Sequence, residues 1–555
     1  MKTAKLRTFQ GIFNKIFTIY LVLMYPFCII RFHYVTNLSK YSWFFDNDTQ
    51  VDYYLGARSV TLMIAAVLAV IALALICFSE HRKPVIFTSR TITVAISVYV
   101  LCVITSTFFS IDRYTSIHGG LDQFESCFTL LSYVVIFIYA YEQQLLEYVL
   151  HSRIGSICLY ASTALLIVLG FLQGSDVYLT FYNPDYCSIY LFIMIGIFAY
   201  KSSTDRKFSL TVDCFFMILL MYLQIRTNCV YNIALTILSL ISLAIYCGCY
   251  YCKNHRINIF SHVNSMFVRI AVCLAAAVII IATVFFSYRY ILSISQPQLI
   301  ASNGERIISI ATGTDEVTIV TDRDTYHLTS DMKEGPLEYQ QANGQMGGDT
   351  VNGFSINNGY ETMFFTNSTP DGGYVFVVSN GHSIVLEPAE AVIFSNCPSL
   401  LSGRGYIWGR TIPLLRHTLL IGTGPDTFLI DFPHGDYVEA LVNNYIYQLV
   451  NKPHSIYLQI AVQTGVVSLI CVLIMVFSQI VSGIHAFLGK AHMSISDTQN
   501  GNIAESTHTK KALGFTILVC SIGLCLSGLL NDSNLSVMPY VILIFSAASS
   551  QQNRL

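Results

Sequence analysis

Ser402–Phe428 reads SGRGYIWGRTIPLLRHTLLIGTGPDTF, and Asn451–Gly465 reads NKPHSIYLQIAVQTG before opening into a long apolar run. Three arginines (Arg404, Arg410, Arg416) and a proline-flanked histidine, His454, therefore stand between hydrophobic stretches on both sides. Cations gathered at a membrane border either hold phosphate or fix the orientation of spans. What surrounds them decides which.

Of 555 residues, 54% are hydrophobic and 12% charged, where soluble domains carry about 25% charge. Runs of about 20 apolar residues cross a bilayer. By that measure about twelve spans are expected, near 11–31, 58–79, 88–109, 126–143, 154–173, 180–200, 208–225, 230–251, 266–289, 456–482, 512–530 and 535–549. The fold class is mainly α, a polytopic membrane protein. Met1–Arg31 is basic and then apolar with no small-residue cleavage site after it, and reads as a retained first span. Lys2, Lys5, Arg7, Arg82, Lys83, Arg153, Lys201, Arg206, Lys207, Lys253, Arg256, Lys490, Lys510, Lys511 and Arg554 fall in one set of connections, against mainly Lys40, Arg113 and Arg226 in the other. The positive-inside bias puts both termini in the cytoplasm and the Arg404–His454 stretch outside. A net charge of −2 gives no reason to invoke nucleic acid. The sixteen cysteines, mostly inside apolar runs, read as small hydrophobes.

Residues 1–295 would hold the first nine helices and 456–555 the last three, with an external segment of about 165 residues between helices 9 and 10. Its first part, 296–398, alternates as strands do and is punctuated by Asn-Gly pairs at Asn303, Asn343, Asn352, Asn358 and Asn380, which favour tight hairpin turns. A β-rich extracytoplasmic insert is expected there. Residues 399–455 turn helical and amphipathic, with Phe432–Pro453 as a mobile site loop. On the cytoplasmic side, Gly489–Thr509 reads as a disordered connector.

Guanidinium offers a planar fork that matches phosphate oxygens, so Arg404, four residues before Trp408, is the leading anion ligand, with Arg410 and Arg416 further along. Gly422-Thr423-Gly424 would let backbone N–H groups approach an anion. His454 is placed to accept a proton near neutral pH, ahead of His417 and His434. Gln459 and Gln463 either join neighbouring helices or line a cavity. Asp46, Asp48 and Asp52 in the first external loop form an acidic cluster that can bind a divalent metal or act as a base.

Ser402-Gly-Arg404-Gly-Tyr-Ile-Trp408, Leu419-Leu-Ile-Gly422-Thr-Gly424 and Pro453-His454-Ser-Ile-Tyr457-Leu-Gln459 resemble, in that order, the signature of the O-antigen ligase and O-antigen polymerase superfamily. Tyr182-Asn183-Pro184-Asp185 and Gly528-Leu-Leu-Asn531-Asp532 agree with it. Two departures stand out: Arg226-Thr-Asn-Cys229 replaces a Ser-Arg pair, and Ser455 follows His454 in place of asparagine. The β-rich insert is not part of the family core. The resemblance implies transfer of a glycan from an undecaprenyl-diphosphate donor to a hydroxyl of a glycan or lipid-glycan acceptor, at the outer face of the cell membrane. It implies no metal and no cofactor. Arg404 would hold the diphosphate, assisted by Arg410, Arg416 and Arg226, with His454 as base and Asn183 and Asp532 lining the site. Two other readings stay open: a transporter or flippase of lipid-linked glycans, and a metal-dependent polyprenyl-monophosphate glycosyltransferase using the acidic cluster.

Overall fold

The computed structural model describes residues 2–30, 33–37, 41, 49–80, 89–120, 123–174, 177–204, 207–254, 298–370, 372–379, 381–394, 396–446, 448–488 and 503–550. The first apolar run forms α1 (Lys2–Thr18), widens into a π turn at Ile19–Met24 and closes in a 3-10 turn at Tyr25–Phe27. Pro26 lacks the N–H that another α turn needs. An antiparallel pair, β1 (Tyr34–Asn37) and β2 (Thr49–Asp52), precedes α2 (Leu55–Glu80). Then come α3 (Arg90–Phe108), α4 (Arg113–His118), α5 (Cys127–Gln143), α6 (Leu145–His151), α7 (Arg153–Leu172), α8 (Pro184–Thr204), α9 (Lys207–Arg226) and α10 (Val230–Asn254). After the β region follow α11 (Leu400–Leu414), α12 (Phe428–Asp431), α13 (Tyr437–Val442), α14 (Ile456–Gln463), α15 (Val466–Leu488), α16 (Ile503–Ser527) and α17 (Met538–Ser550).

Seven described helices are long and apolar enough to cross a membrane, in α2, α3, α7, α8, α10, α15 and α16, while α5 and α17 are shorter apolar helices. The described residues thus give seven spans where about twelve are expected. The expected span 266–289 and residues 489–502 lie outside the described residues. Most of α8 is buried and apolar all round, packed against α9, α10 and α16, as a central helix must be. Asn183 and Asp185 stand at its N-terminal end, both half-buried. The run 456–482, expected as one helix, breaks at Thr464–Gly465, where Gly465 takes φ +99°. That conformation costs an L-residue strain and a glycine little.

Nine strands form two antiparallel sheets between Leu299 and Ile384. One runs β3 (Leu299–Ile300), β4 (Arg306–Thr312), β5 (Val317–Thr321), β6 (Thr325–Leu328). The other has the order β11 (Ser383–Ile384), β10 (Val375–Val377), β9 (Thr362–Thr366), β8 (Asp349–Asn357), β7 (Gln340–Met346). Two of the Asn-Gly pairs are not turns: Asn343 and Asn352 face each other across β7 and β8, and the reversal lies at Gly347-Gly348, φ +60° and +94°. Phe364 explains this. Its ring covers Gly344 and Gly353, where an added Cβ would sit 2.2 and 2.9 Å away. The core between the sheets includes Ile310, Ile319, Phe354 and Phe365, and is completed by Tyr437 and Val438 of α13. The stretch expected to be a mobile loop, 432–453, is therefore tied down by packing.

Candidate active site

Arg404 opens the regular part of α11. Leu401, Ser402 and Gly403 before it all take left-handed backbone angles, φ 51°, 62° and 90°. This tight reversal turns Arg404 back over the end of α16. Its Nε donates to Leu530 O at 3.0 Å and its Nη1 to Leu401 O at 3.0 Å, and Nη2 lies 3.5 Å from Asp185 Oδ2. Tyr231 lies beneath the guanidinium, 5.9 Å from ring centre to Cζ, and its hydroxyl donates to Asn531 Oδ1 at 2.6 Å. One turn along α11, Trp408 Nε1 donates to Pro453 O at 2.9 Å. The Arg–x3–Trp spacing thus lets one helix hold the 530 turn with its first residue and the His454 segment with its fifth.

His454 itself has φ +51°, a strained angle for a non-glycine residue. Its Nδ1 lies 3.3 Å from Asp532 Oδ2, and the pair is asymmetric: the imidazole is 39% exposed and the carboxylate 1%. Ser455 N donates to Asp532 Oδ1 at 3.1 Å. Oδ2 has no partner in full hydrogen-bond geometry, so a small rotation of the imidazole would complete the bond. Arg404 and His454 therefore meet on one short turn, Leu530–Asp532. Below it opens a cavity of about 220 Å³, its ceiling formed by Glu125, Gln459, Gln463, Asn531, Asp532 and Ser533 and its walls by apolar residues of α3, α5, α15 and α17.

Residues 214–473 match the family model described as O-antigen ligase. This stretch is similar to an O-antigen ligase domain. It supports membership of the O-antigen ligase/polymerase superfamily and contains Arg226, Arg404, Arg410, Arg416 and His454, while Asp532 and Asn183 lie outside it. No curated protein and no solved structure matches the chain.

The other expected ligands are held by different partners. Arg410 is buried, with Nη2 2.7 Å from Asp436 Oδ2 and 3.5 Å from Glu439 Oε2, stacked 4.2 Å above the Tyr406 ring. Its charge is matched by neighbouring carboxylates. Arg416 is exposed and pairs with Glu390 at 2.7 Å. Arg226 donates to Tyr222 Oη at 3.1 Å and to the carbonyls of Gln173 and Gly174. The Gly422–Gly424 turn packs on the end of α14: Thr423 N and Gly424 N donate to Val462 O and Gln463 O, both at 2.9 Å. A Cβ on Gly422 would meet Gln463 backbone at 2.3 Å. These glycines close a backbone contact, and the two N–H groups expected to face an anion are already donated. Asn183 Oδ1 accepts from Asp185 N at 2.7 Å, capping α8. Asp52 caps α2 through Leu55 N and Gly56 N, while Asp46 and Asp48 lie outside the described residues.

Three residues that matter here were given no role by the sequence reading, although Asp185 stands in the Tyr182–Asp185 fragment quoted for the resemblance. Asp185 joins Arg404 to Cys229, whose thiol donates at 2.6 Å. Glu125 lies buried one residue before the helix cap Ser126. Arg58, 1% exposed, donates to Cys28 O at 3.2 Å and Thr180 O at 2.5 Å, stitching the first helix and α2 to the loop before α8. A charge at the edge of an apolar run is the sequence signal they share.

Proposed function

We propose that this protein moves a glycan from a polyprenyl-diphosphate carrier, undecaprenyl diphosphate in a bacterial membrane, to an acceptor hydroxyl at the outer face of the membrane. The match of residues 214–473 to the O-antigen ligase model supports surface-polysaccharide assembly by a ligase- or polymerase-like glycosyltransferase, and the long apolar helices support a multi-pass membrane setting. The observation that supports the finer reading is the shared Leu530–Asp532 turn, which the Arg404 guanidinium and the His454 imidazole both approach and whose Asn531 and Asp532 line an apolar cavity.

The chemistry follows from the groups. Asp532, buried beside Nδ1, favours the tautomer that carries its proton there, leaving the Nε2 lone pair for the acceptor hydroxyl. As the acceptor oxygen bonds the anomeric carbon, the bond to the diphosphate breaks and the acceptor proton passes to Nε2. Charge then grows on phosphate oxygens, and Arg404 is the cation placed to meet it. Arg404 leans on Asp185 at 3.5 Å, a contact long enough to be exchanged for phosphate. The apolar cavity beneath suits the carrier's hydrocarbon chain.

The test is transfer in proteoliposomes with an undecaprenyl-diphosphate-linked oligosaccharide. His454→Ala and Arg404→Ala are each expected to abolish transfer and to leave the lipid-linked donor accumulating. Full activity in both variants would remove the reading, and activity lost to a chelator would favour the metal-dependent alternative.

A further inference from the structure

The ceiling of the cavity contains a carboxylate that the proposed reaction does not use. Glu125 is 2% exposed. Its Oε1 accepts from Ser533 Oγ at 2.5 Å and from Tyr133 Oη at 2.8 Å, and its Oε2 accepts from Gln459 Nε2 at 3.0 Å. Gln459 Oε1 in turn takes Ser533 N at 2.8 Å. The residue after Asp532 is thus gripped at its hydroxyl and its amide, while Asp532 itself receives Ser455 N at 3.1 Å. These links close a ring: Glu125 to Ser533, Asp532 to Ser455, then along the first turn of α14 to Gln459 and back to Glu125.

Taking a carboxylate out of water is expensive unless its lone pairs are matched. A position that only needed filling between α5 and α14 would be apolar. Burial pushes the Glu125 carboxyl above its usual range, against the pull of Ser533, Tyr133 and Lys452. The ionisable groups around it are Tyr133 on α5, Tyr99 on α3, Tyr25 at the end of the first helix, Lys452 and Asp532. We propose that Glu125 is a positioning residue for glycan transfer: through Ser533 and Gln459 it fixes the loop that presents Asp532 to His454. This inference rests on the proposed transfer reaction.

The donor directions give a specific test. In Glu125→Gln the amide oxygen can keep Gln459 Nε2 while its N–H₂ turns on the Ser533 and Tyr133 hydroxyls, so the shape stays and the charge on which the three donors converge is lost; Glu125→Ala removes the link. Each is expected to lower kcat about 10- to 100-fold, the range for losing a hydrogen bond to a charged group. The KM for undecaprenyl-diphosphate-linked oligosaccharide should stay within about twofold, because the carboxylate acts on the loop that presents Asp532 and an apolar carrier chain gains nothing from its charge. The paired exchange Glu125→Gln/Gln459→Glu reverses both partners and should recover kcat to within about fivefold of wild type. Membrane abundance and thermal unfolding in detergent are measured for every variant, with His454→Ala as control. Wild-type kcat in both single variants beside an inactive His454→Ala overturns this inference alone. It is equally overturned if kcat falls only in step with folded protein, if KM rises instead of kcat falling, or if the paired exchange restores nothing. An active His454→Ala would instead remove the proposed reaction.

Discussion

In the proposed reaction Asp532 and His454 would divide one task by exposure: the buried carboxylate would orient, and the exposed imidazole would reach the acceptor. Replacing Asp532 with Asn keeps the shape and the acceptor for Ser455 N, but no longer favours a proton on Nδ1. A loss of kcat of about 100-fold or more is expected, with donor KM little changed, as when the acid of a catalytic triad is neutralised. Initial transfer rates at saturating donor check it. Arginine at this scale is less uniform than its spacing suggests. Arg410→Ala would strand Asp436 in a buried site and should cost about 3–5 kcal/mol of stability, whereas Arg416→Ala removes an exposed pair and should cost under about 1 kcal/mol. Thermal unfolding of the two variants in the same detergent separates them. The sequence shows that three arginines are present near a membrane border. It does not show which of them has a carboxylate waiting, because Asp436 and Glu390 reach them from chain segments 26 residues away.

At the level of elements, the helical runs were legible because apolar length is a local property: α2, α3, α7, α8 and α10 fall within a few residues of their expected bounds. What could not be read locally were the places where another element decides the backbone. The break between α14 and α15 exists because 418–424 docks against it, with Val466 N donating to Thr418 O at 3.0 Å. The Asn-Gly pairs inside β7 and β8 are strand residues because Phe364 needs their glycines flat. The segment α12 and the turn after it carry a pH signature of two opposite signs. Burial raises Asp431 from 3.8 to about 6, with His417 opposing the shift, and burial lowers His434 from 6.5 to about 3 against its bond to Leu429 O. For Asp431 the native state holds the extra proton between about pH 4 and 6, so its contribution falls as pH rises through that window. For His434 the unfolded state holds it between about pH 3 and 6.5, so stability rises with pH there and is complete above 6.5. The two nearly cancel across pH 4 to 6. Asp431→Asn should therefore unmask a steeper gain in thermal stability from pH 4 to 6.5, and His434→Phe should reverse the slope. Melting curves against pH read both.

Across the whole molecule, the β region and the arginine helix are one structure. Tyr437 and Val438 of α13 fill the core between the two sheets, and Tyr437 Oη also contacts Asn358 and Glu361. From the other end of α13, Ala440 O accepts Tyr445 N at 2.7 Å, and Tyr445 stacks on Tyr406 of α11 at 4.6 Å. The Tyr445 hydroxyl lies against Gly403, where a Cβ would come within 2.2 Å of it, immediately before Arg404. The boundary at 398 marks where strand-like alternation ends in the sequence, yet the apolar core continues to Ile446. Periodicity cannot reveal this, since a six-residue helix that plugs someone else's core has no pattern of its own. A soluble fragment covering 298–446 is expected to melt cooperatively, and one covering 298–398 to lack a cooperative transition, because losing two large side chains from so small a core removes about 3–5 kcal/mol or more. Tyr437→Ala in the full chain should destabilise the same unit and lower transfer with His454 and Arg404 intact, whereas Gln341→Ala on the outer strand β7 should change neither. Cooperative melting of the shorter fragment would show that the sheets stand alone, and that α13 merely leans on them.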